Sequence, residues 1–185
     1  MHANVDANGL ACEISVGTAD ALVACVSAAT DAQLFDGKTW TDRPFPGPSG
    51  TLFSLGTDGA DYRIDFVYGV GPLSSTILHA GVWSSPVTSN SIDPLPVAPK
   101  SNYTAGACET WTLFYADSST LSGTLFASQT SGSAAYPKGA QIVAGQASAR
   151  GPRIAAWPGV VDAVWSGVSP TSSGASVLYV ALNAK

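Results

Sequence analysis

Arg63 and Asp65 stand two residues apart in the run DYRIDF, with Asp61 two residues ahead of the arginine. Only 11% of the chain is charged, so this is its densest charged cluster near a strand start. At the mouth of a cavity, such a cluster would anchor a polar ligand. Beside a reacting group, Arg63 and Asp65 would supply charge and a proton acceptor. His79 adds the side chain that titrates nearest neutrality. It reads either as a general base or haem ligand, or as an edge-strand histidine satisfied by a hydrogen bond. The second reading is preferred, because a catalytic base needs a positioned partner and the other histidine is His2. A bis-histidine haem site would require His2 to fold back. Tyr68, Tyr115 and Trp165 lie three residues after Asp65, Thr112 and Asp162. Three aromatics at one level would line an apolar ligand cup or form a packing layer between sheets. The chain has no H-E-x-x-H, no C-x-x-C pair, no G-x-S-x-G and no phosphate loop. That argues against metallohydrolase, serine hydrolase and nucleotide chemistry.

The elements that must position these groups recur. Asp20 opens DALVACVS, Asp65 opens DFVYGVG, Thr112 opens TLFYADS and Asp162 opens DAVWSGVS, at spacings of 45, 47 and 50 residues. A second apolar run follows each opening, at Gln33–Phe35, Thr76–Leu78, Thr124–Phe126 and Ser176–Tyr179, after a polar turn. Third strands begin at Trp40, at Gly81-Val82-Trp83 and at Ala135-Tyr136, and Asp36-Gly37 is a strong hairpin turn signal. Prolines mark the connectors, where a fixed φ and a missing donor are tolerated. The stretch from Pro152 to Gly167 reads as a proline-led loop, a tight Trp157-Pro158-Gly159 turn and a strand opened by Val161-Asp162-Ala163. Short strands repeating every 40 to 50 residues or so predict an all-β, four-bladed β-propeller. Its blades run over roughly 17–56, 57–104, 105–156 and 157–185. A strand at 9–16 is expected to pair into the last blade and close the ring, hiding both edges.

Composition sets the outer limits. At 185 residues the chain reads as a single domain, 1–185, with a sizeable core. The usual charged share is about 25%; the low value here suits short strands and tight turns rather than long surface helices. The net charge is −5 and the eight Lys and Arg are scattered, so nucleic acid is an improbable partner, since phosphate neutralisation supplies most of that affinity. No apolar run approaches the roughly 18 residues of a membrane span. Residues 1–16 lack a basic region followed by an apolar core, so a cytoplasmic location is expected, as monomer or small homo-oligomer. Of three cysteines, Cys25 reads as a small core residue, whereas Cys12 and Cys108 would pair only where the fold brings them together.

The chain resembles the hemopexin-like family of four-bladed propellers. The resemblance rests on Ile154, Trp157, Pro158, Gly159, Val161, Asp162 and Ala163, and more loosely on Asp20-Ala21, Leu34 to Lys38 and Trp40. It extends over nearly the whole chain by spacing, but only the first and last repeats carry specific residues. The family's disulfide between first and last blades has no counterpart, because no cysteine lies after Cys108. The small fungal fucose-binding lectins are similar in rhythm, with Trp40 and Trp83 after the second strands. They have five or more blades per ring, so a chain of four units would need to assemble.

The hemopexin-like resemblance implies a central channel lined by the innermost strands. There the backbone carbonyls of Asp20, Asp65, Thr112 and Asp162, with those of Leu22, Val67, Phe114 and Val164, would hold a structural Ca or Na ion. Converging carbonyls and water supply the oxygens a hard cation takes. The alternative is that these aspartates satisfy backbone donors at strand starts. No cofactor is required. The function expected is non-enzymatic binding of a small molecule or ion at the channel mouth, through Tyr68, Tyr115, Trp165 and Arg63. The alternatives are a cofactor-free cyclase or pericyclase using His79, Arg63, Asp65, Tyr68 and Tyr115, and a sugar-binding lectin.

Overall fold

The computed structural model describes residues 12–26, 30–47, 52–67, 71–92, 102–107, 110–116, 125–143, 150–157, 159–168 and 175–183. They form sixteen strands, and no helix occurs among the described residues. The first sheet is β1 (Cys12–Val16), β2 (Ala21–Val26), β3 (Thr30–Phe35) and β4 (Trp40–Asp42). The second is β5 (Leu52–Thr57), β6 (Tyr62–Val67), β7 (Leu73–His79) and β8 (Val82–Trp83), with β9 (Val87–Ser89) also paired to β7. The third is β10 (Asn102–Ala107), β11 (Thr110–Ala116), β12 (Leu125–Ser131) and β13 (Ala140–Val143). The fourth is β14 (Arg150–Trp157), β15 (Val160–Val168) and β16 (Ala175–Asn183). Neighbouring strands are antiparallel and consecutive in the chain, except that β9 returns to β7.

Turn chemistry makes these hairpins. At 36–39 the Asp36 carboxylate accepts from the N–H groups of Lys38 and Thr39. That bonding favours the charged form and holds the carboxyl below its usual range. Asp58 repeats the device, accepting from Ala60 and Asp61. Between β7 and β8 both turn residues are left-handed, Ala80 at φ 48° and Gly81 at φ 79°. A two-residue hairpin loop with both central residues at positive φ matches the strand twist.

Successive sheets meet through their first strands: β1 packs against β5, β5 against β10, and β10 against β14. The strands that meet between successive sheets are therefore chiefly β1, β5, β10 and β14, whereas the repeat had placed β2, β6, β11 and β15 innermost. Of these strands, β10 (NYTAGA) is rich in small residues, so its pattern is faint. Small residues are what close approach requires: a Cβ on Gly106 would lie 2.8 Å from the backbone nitrogen of Asp58.

Four further expectations need correction. Residues 12–16 do not join the last sheet; they pair with β2, Val16 opposite Ala21 and Cys12 opposite Cys25. The latter two form a disulfide, so Cys25 is neither a free core residue nor is Cys12 left for Cys108, which lies outside the described residues. Pro152 is not in a loop: it lies within β14, where the register shifts between Arg150 and Arg153. An irregularity of that kind accommodates a residue without an N–H. The strand that follows the β11–β12 hairpin is β13, and Ala135-Tyr136 lies in an irregular stretch before it.

Two apolar layers hold the first three sheets together. Between sheets one and two, Leu22, Ala24 and Ala32 face Leu55, Tyr62, Ile64, Phe66 and Leu78, with Phe45 alongside. Between sheets two and three, Val67, Leu73, Ile77 and Ile92 face Trp111, Leu113, Tyr115 and Tyr136. Fully burying one such side chain stabilises by about 1.5–3 kcal/mol. The alternation is strict along β6, where Tyr62, Ile64 and Phe66 join the first layer and Val67 the second.

Candidate functional site

Arg63 and Asp65 point from β6 into the junction between sheets two and three. Both side chains are wholly buried, with Arg63 Nε donating to Asp65 Oδ1 at 2.9 Å. The remaining guanidinium nitrogens donate to the carbonyls of Gly132 and Ala134, at 3.1 and 3.2 Å. The second carboxylate oxygen accepts from the Tyr136 hydroxyl at 3.1 Å. The arginine also lies 4.3 Å from the centroid of the Tyr136 ring and 6.0 Å from that of Trp111, within cation–π range. Burial works against the guanidinium charge, but Asp65, and then Tyr136, outweigh it and hold the pKa above its ordinary value. A buried charge pair needs this degree of satisfaction. The geometry makes the pair a clasp for the irregular stretch 132–136, sealed from any ligand in solution.

His79 is 77% exposed, and its Nδ1 lies 2.9 Å from the Asp61 carboxylate, itself one-quarter exposed. The pair sits at the end of β7 and is separated by burial from Arg63 and Asp65. The sequence cluster Asp61, Arg63, Asp65 is thus split in two: Asp61 joins His79, and the other two turn inward.

Tyr115 is 1% exposed. It stacks on Phe126 with centroids 5.5 Å apart, and its hydroxyl accepts from the Gly139 N–H at 3.1 Å. It belongs to the packing layer rather than to an open cup. Tyr68 lies outside the described residues, and Trp165 is placed by its backbone alone, opposite Leu178. The aromatics that surround the buried arginine, Trp111 and Tyr136, were absent from the sequence candidates. The spacing signal pointed at strand offsets, whereas Tyr136 arrives from outside a strand.

Asp65, Thr112 and Asp162 lie in β6, β11 and β15, each flanked on both sides by paired strands. The Asp20 carbonyl accepts from the Gly17 N–H at 2.9 Å. The Asp20 side chain accepts from Tyr62 at 2.6 Å, and Tyr62 in turn accepts from Gly17 N–H. Among the described residues, no group of three or more His, Cys, Asp or Glu side chains converges.

The accessible chemistry lies on the outer face of sheet one. The register places Val16, Ala21, Phe35 and Trp40 in one row across the four strands, and Ile14, Val23, Gln33 and Asp42 in the next. Trp40 is 39% exposed, and its ring stands 4.9 Å from that of Phe35, tilted by 31°. Next to this aromatic pair, Gln33 Nε2 donates to Asp42 Oδ1 at 2.9 Å. The result is a flat apolar surface bordered by an amide and a carboxylate.

No protein-family model and no curated protein sequence matches the chain. Solved structures do. A neuraminidase-like protein of the strain A/flat-faced bat/Peru is similar with a TM-score of 0.55 and 13% identity, over 91% of this chain and 50% of its own. Another, of A/little yellow-shouldered bat/Guatemala, gives 0.56 and 7%, over 90% and 54%. The Aleuria aurantia lectin, a fungal six-bladed β-propeller with a novel fucose recognition mode, gives 0.52 and 14%, over 95% and 64%. The protein therefore has a β-propeller fold. The chain spans between half and just under two thirds of the length of these structures.

Proposed function

We propose that this propeller is a non-catalytic binding module whose ligand is a saccharide, held at the rim of the first sheet. The observation that carries the reading is the exposed Phe35–Trp40 pair beside Gln33 and Asp42. An aromatic face accepts the apolar C–H surface of a sugar ring. An adjacent amide and carboxylate provide the few directed hydrogen bonds that orient such a ligand. The fucose recognition of the structurally similar lectin supports the same class, while identity of 14% leaves the residues of this site its own. Of the groups named for the channel mouth, Arg63 and Tyr115 are buried, which favours the open face of the first sheet.

The experiment is titration calorimetry or glycan-array binding with the intact chain. A monosaccharide or short glycan should bind, and Trp40→Ala should weaken it at least tenfold with an unchanged melting temperature. Undiminished binding by Trp40→Ala would remove this site.

A second reading, a cofactor-free acid–base enzyme, draws on one observation: Asp61 holds Nδ1 of His79 while the ring stays open to solvent. A carboxylate that orients an imidazole is half of a general-base device. Turnover of a bound ligand that is lost in His79→Gln would favour it over simple binding.

A further inference from the structure

Arg43 directly follows β4, and its side chain reaches the β7–β8 turn of sheet two. Its backbone is pinned on both sides. The Arg43 N–H donates to the Ala32 carbonyl at 2.7 Å, and the Arg43 carbonyl accepts from Trp83 Nε1 at 2.9 Å. In the side chain, Nη1 donates to the Asp42 carbonyl at 2.9 Å. Nε is buried and meets no acceptor among the described residues. Arg63 is the contrast, since each of its three nitrogens has an acceptor. A buried donor without a partner is uncommon in a folded protein and points to an ion or a water that completes it.

The turn beside that donor leaves room for a small group. A Cβ built on Gly81 would lie 3.7 Å from both Nε and Nη2 of Arg43, so glycine at this position keeps a side chain off the two nitrogens. Ala80, the other residue of the turn, holds φ at 48°. That conformation is strained for a residue with a β-carbon, and strain of this kind gathers at binding sites. Val82, which follows the turn, is 70% exposed, and Arg43 itself is partly exposed. The guanidinium is therefore held in place from below while its surroundings remain open to solvent.

We propose that Arg43 and the Ala80-Gly81 turn form an anion site between sheets one and two, and that its ligand is a carboxylate. Nε and Nη2 share one edge of the guanidinium and donate in parallel, which is the geometry a carboxylate accepts. One guanidinium balances one negative charge. Asp42 precedes Arg43 in the chain, and Asp61 pairs with His79 just before the turn. These two carboxylates oppose a dianion such as sulfate or phosphate, because repulsion grows with the charge of the ligand. The site is separate from the saccharide reading: Asp42 holds Gln33 on the outer face of sheet one, whereas Arg43 turns to sheet two.

The test is a nuclear magnetic resonance titration of the intact, nitrogen-15-labelled chain with sodium acetate, at ionic strength held constant with sodium chloride. The Arg43 Nε–H signal and the Gly81 amide should shift and saturate, while the Nε–H signal of the enclosed Arg63 stays in place. Arg43→Gln should weaken binding at least tenfold, read at the Gly81 amide. Arg43→Lys should weaken it as much, because one ammonium does not supply two parallel donors. Sodium glucuronate separates the sources of the carboxylate: tighter binding than acetate assigns the site to acidic sugars, and equal binding assigns it to organic acids in general. The absence of a saturable shift in the unaltered chain would overturn the proposal, whatever the variants do. So would sulfate binding as tightly as acetate, or full affinity in Arg43→Lys, which would mean diffuse attraction of anions rather than a built site.

Discussion

The junction between sheets two and three and the outer face of sheet one are built from similar residue types with opposite consequences. Both combine aromatics with a carboxylate and a nitrogen-bearing partner. At the junction, every polar atom of Arg63 and Asp65 described above meets a partner inside the protein, and the result is rigidity. On the outer face, the Gln33 side chain donates to the Asp42 carboxylate beside an accessible Phe35–Trp40 pair. The same chemistry is structural when enclosed and available for recognition when open, because a buried group exchanges water for fixed partners.

The comparison can be broken at the junction first. Arg63→Met should destabilise the fold by about 3–5 kcal/mol, since it leaves the Asp65 carboxylate buried without its cation. Urea unfolding measures this, and Arg63→Met combined with Asp65→Leu should recover part of the loss. A loss below about 1 kcal/mol for the single variant would mean the junction is open to water.

The disulfide on the open face comes next. It closes a segment with a sequence separation of 13, for which the chain-entropy argument gives about 3 kcal/mol. Cys12→Ser with Cys25→Ser should lower the melting temperature, and dithiothreitol should reproduce the shift in the unaltered chain but not in the variant.

A smaller effect is expected at high pH from Tyr62. Burial, and then its hydrogen bond to Asp20, raise the Tyr62 pKa well above the ordinary phenol value. A raised folded pKa means that the protonated form is favoured by folding, so this stabilisation is complete below about pH 10 and declines as pH rises above it. Denaturant midpoints taken across that range should fall less steeply in Tyr62→Phe than in the unaltered chain. Smallest of all is the stability change in Trp40→Ala, within about 0.5 kcal/mol for a surface position, although its binding defect should be large. That split between stability and binding is what distinguishes the open face from the junction.

Much of the architecture was legible in the chain. The second and third strands of the sheets announced themselves through apolar runs at Leu22, Ile64 and Leu113 and through turn residues such as Asp36-Gly37. The first strands did not; in β10, Gly106 meets the backbone of Asp58 closely instead of contributing to an alternating pattern. Of the site residues, Arg63 and Asp65 stood out as part of the densest charged cluster, but sequence proximity could not say that they face inward. Asp61, two residues before Arg63, ends in a different environment because the strand begins at Tyr62, between them.

What the residues alone determined, then, was local: strand-forming runs, hairpin turns and a rhythm that demands several small antiparallel sheets. Those follow from backbone sterics and side-chain alternation over a few neighbours. Which face of each sheet is covered was decided only in three dimensions. The pairing of β1 with β2, the disulfide across it, the clasp of Arg63 by residues 132–136 and the exposed outer face of the first sheet all join or separate residues by packing. Packing depends on which surfaces meet, and no short-range pattern encodes that.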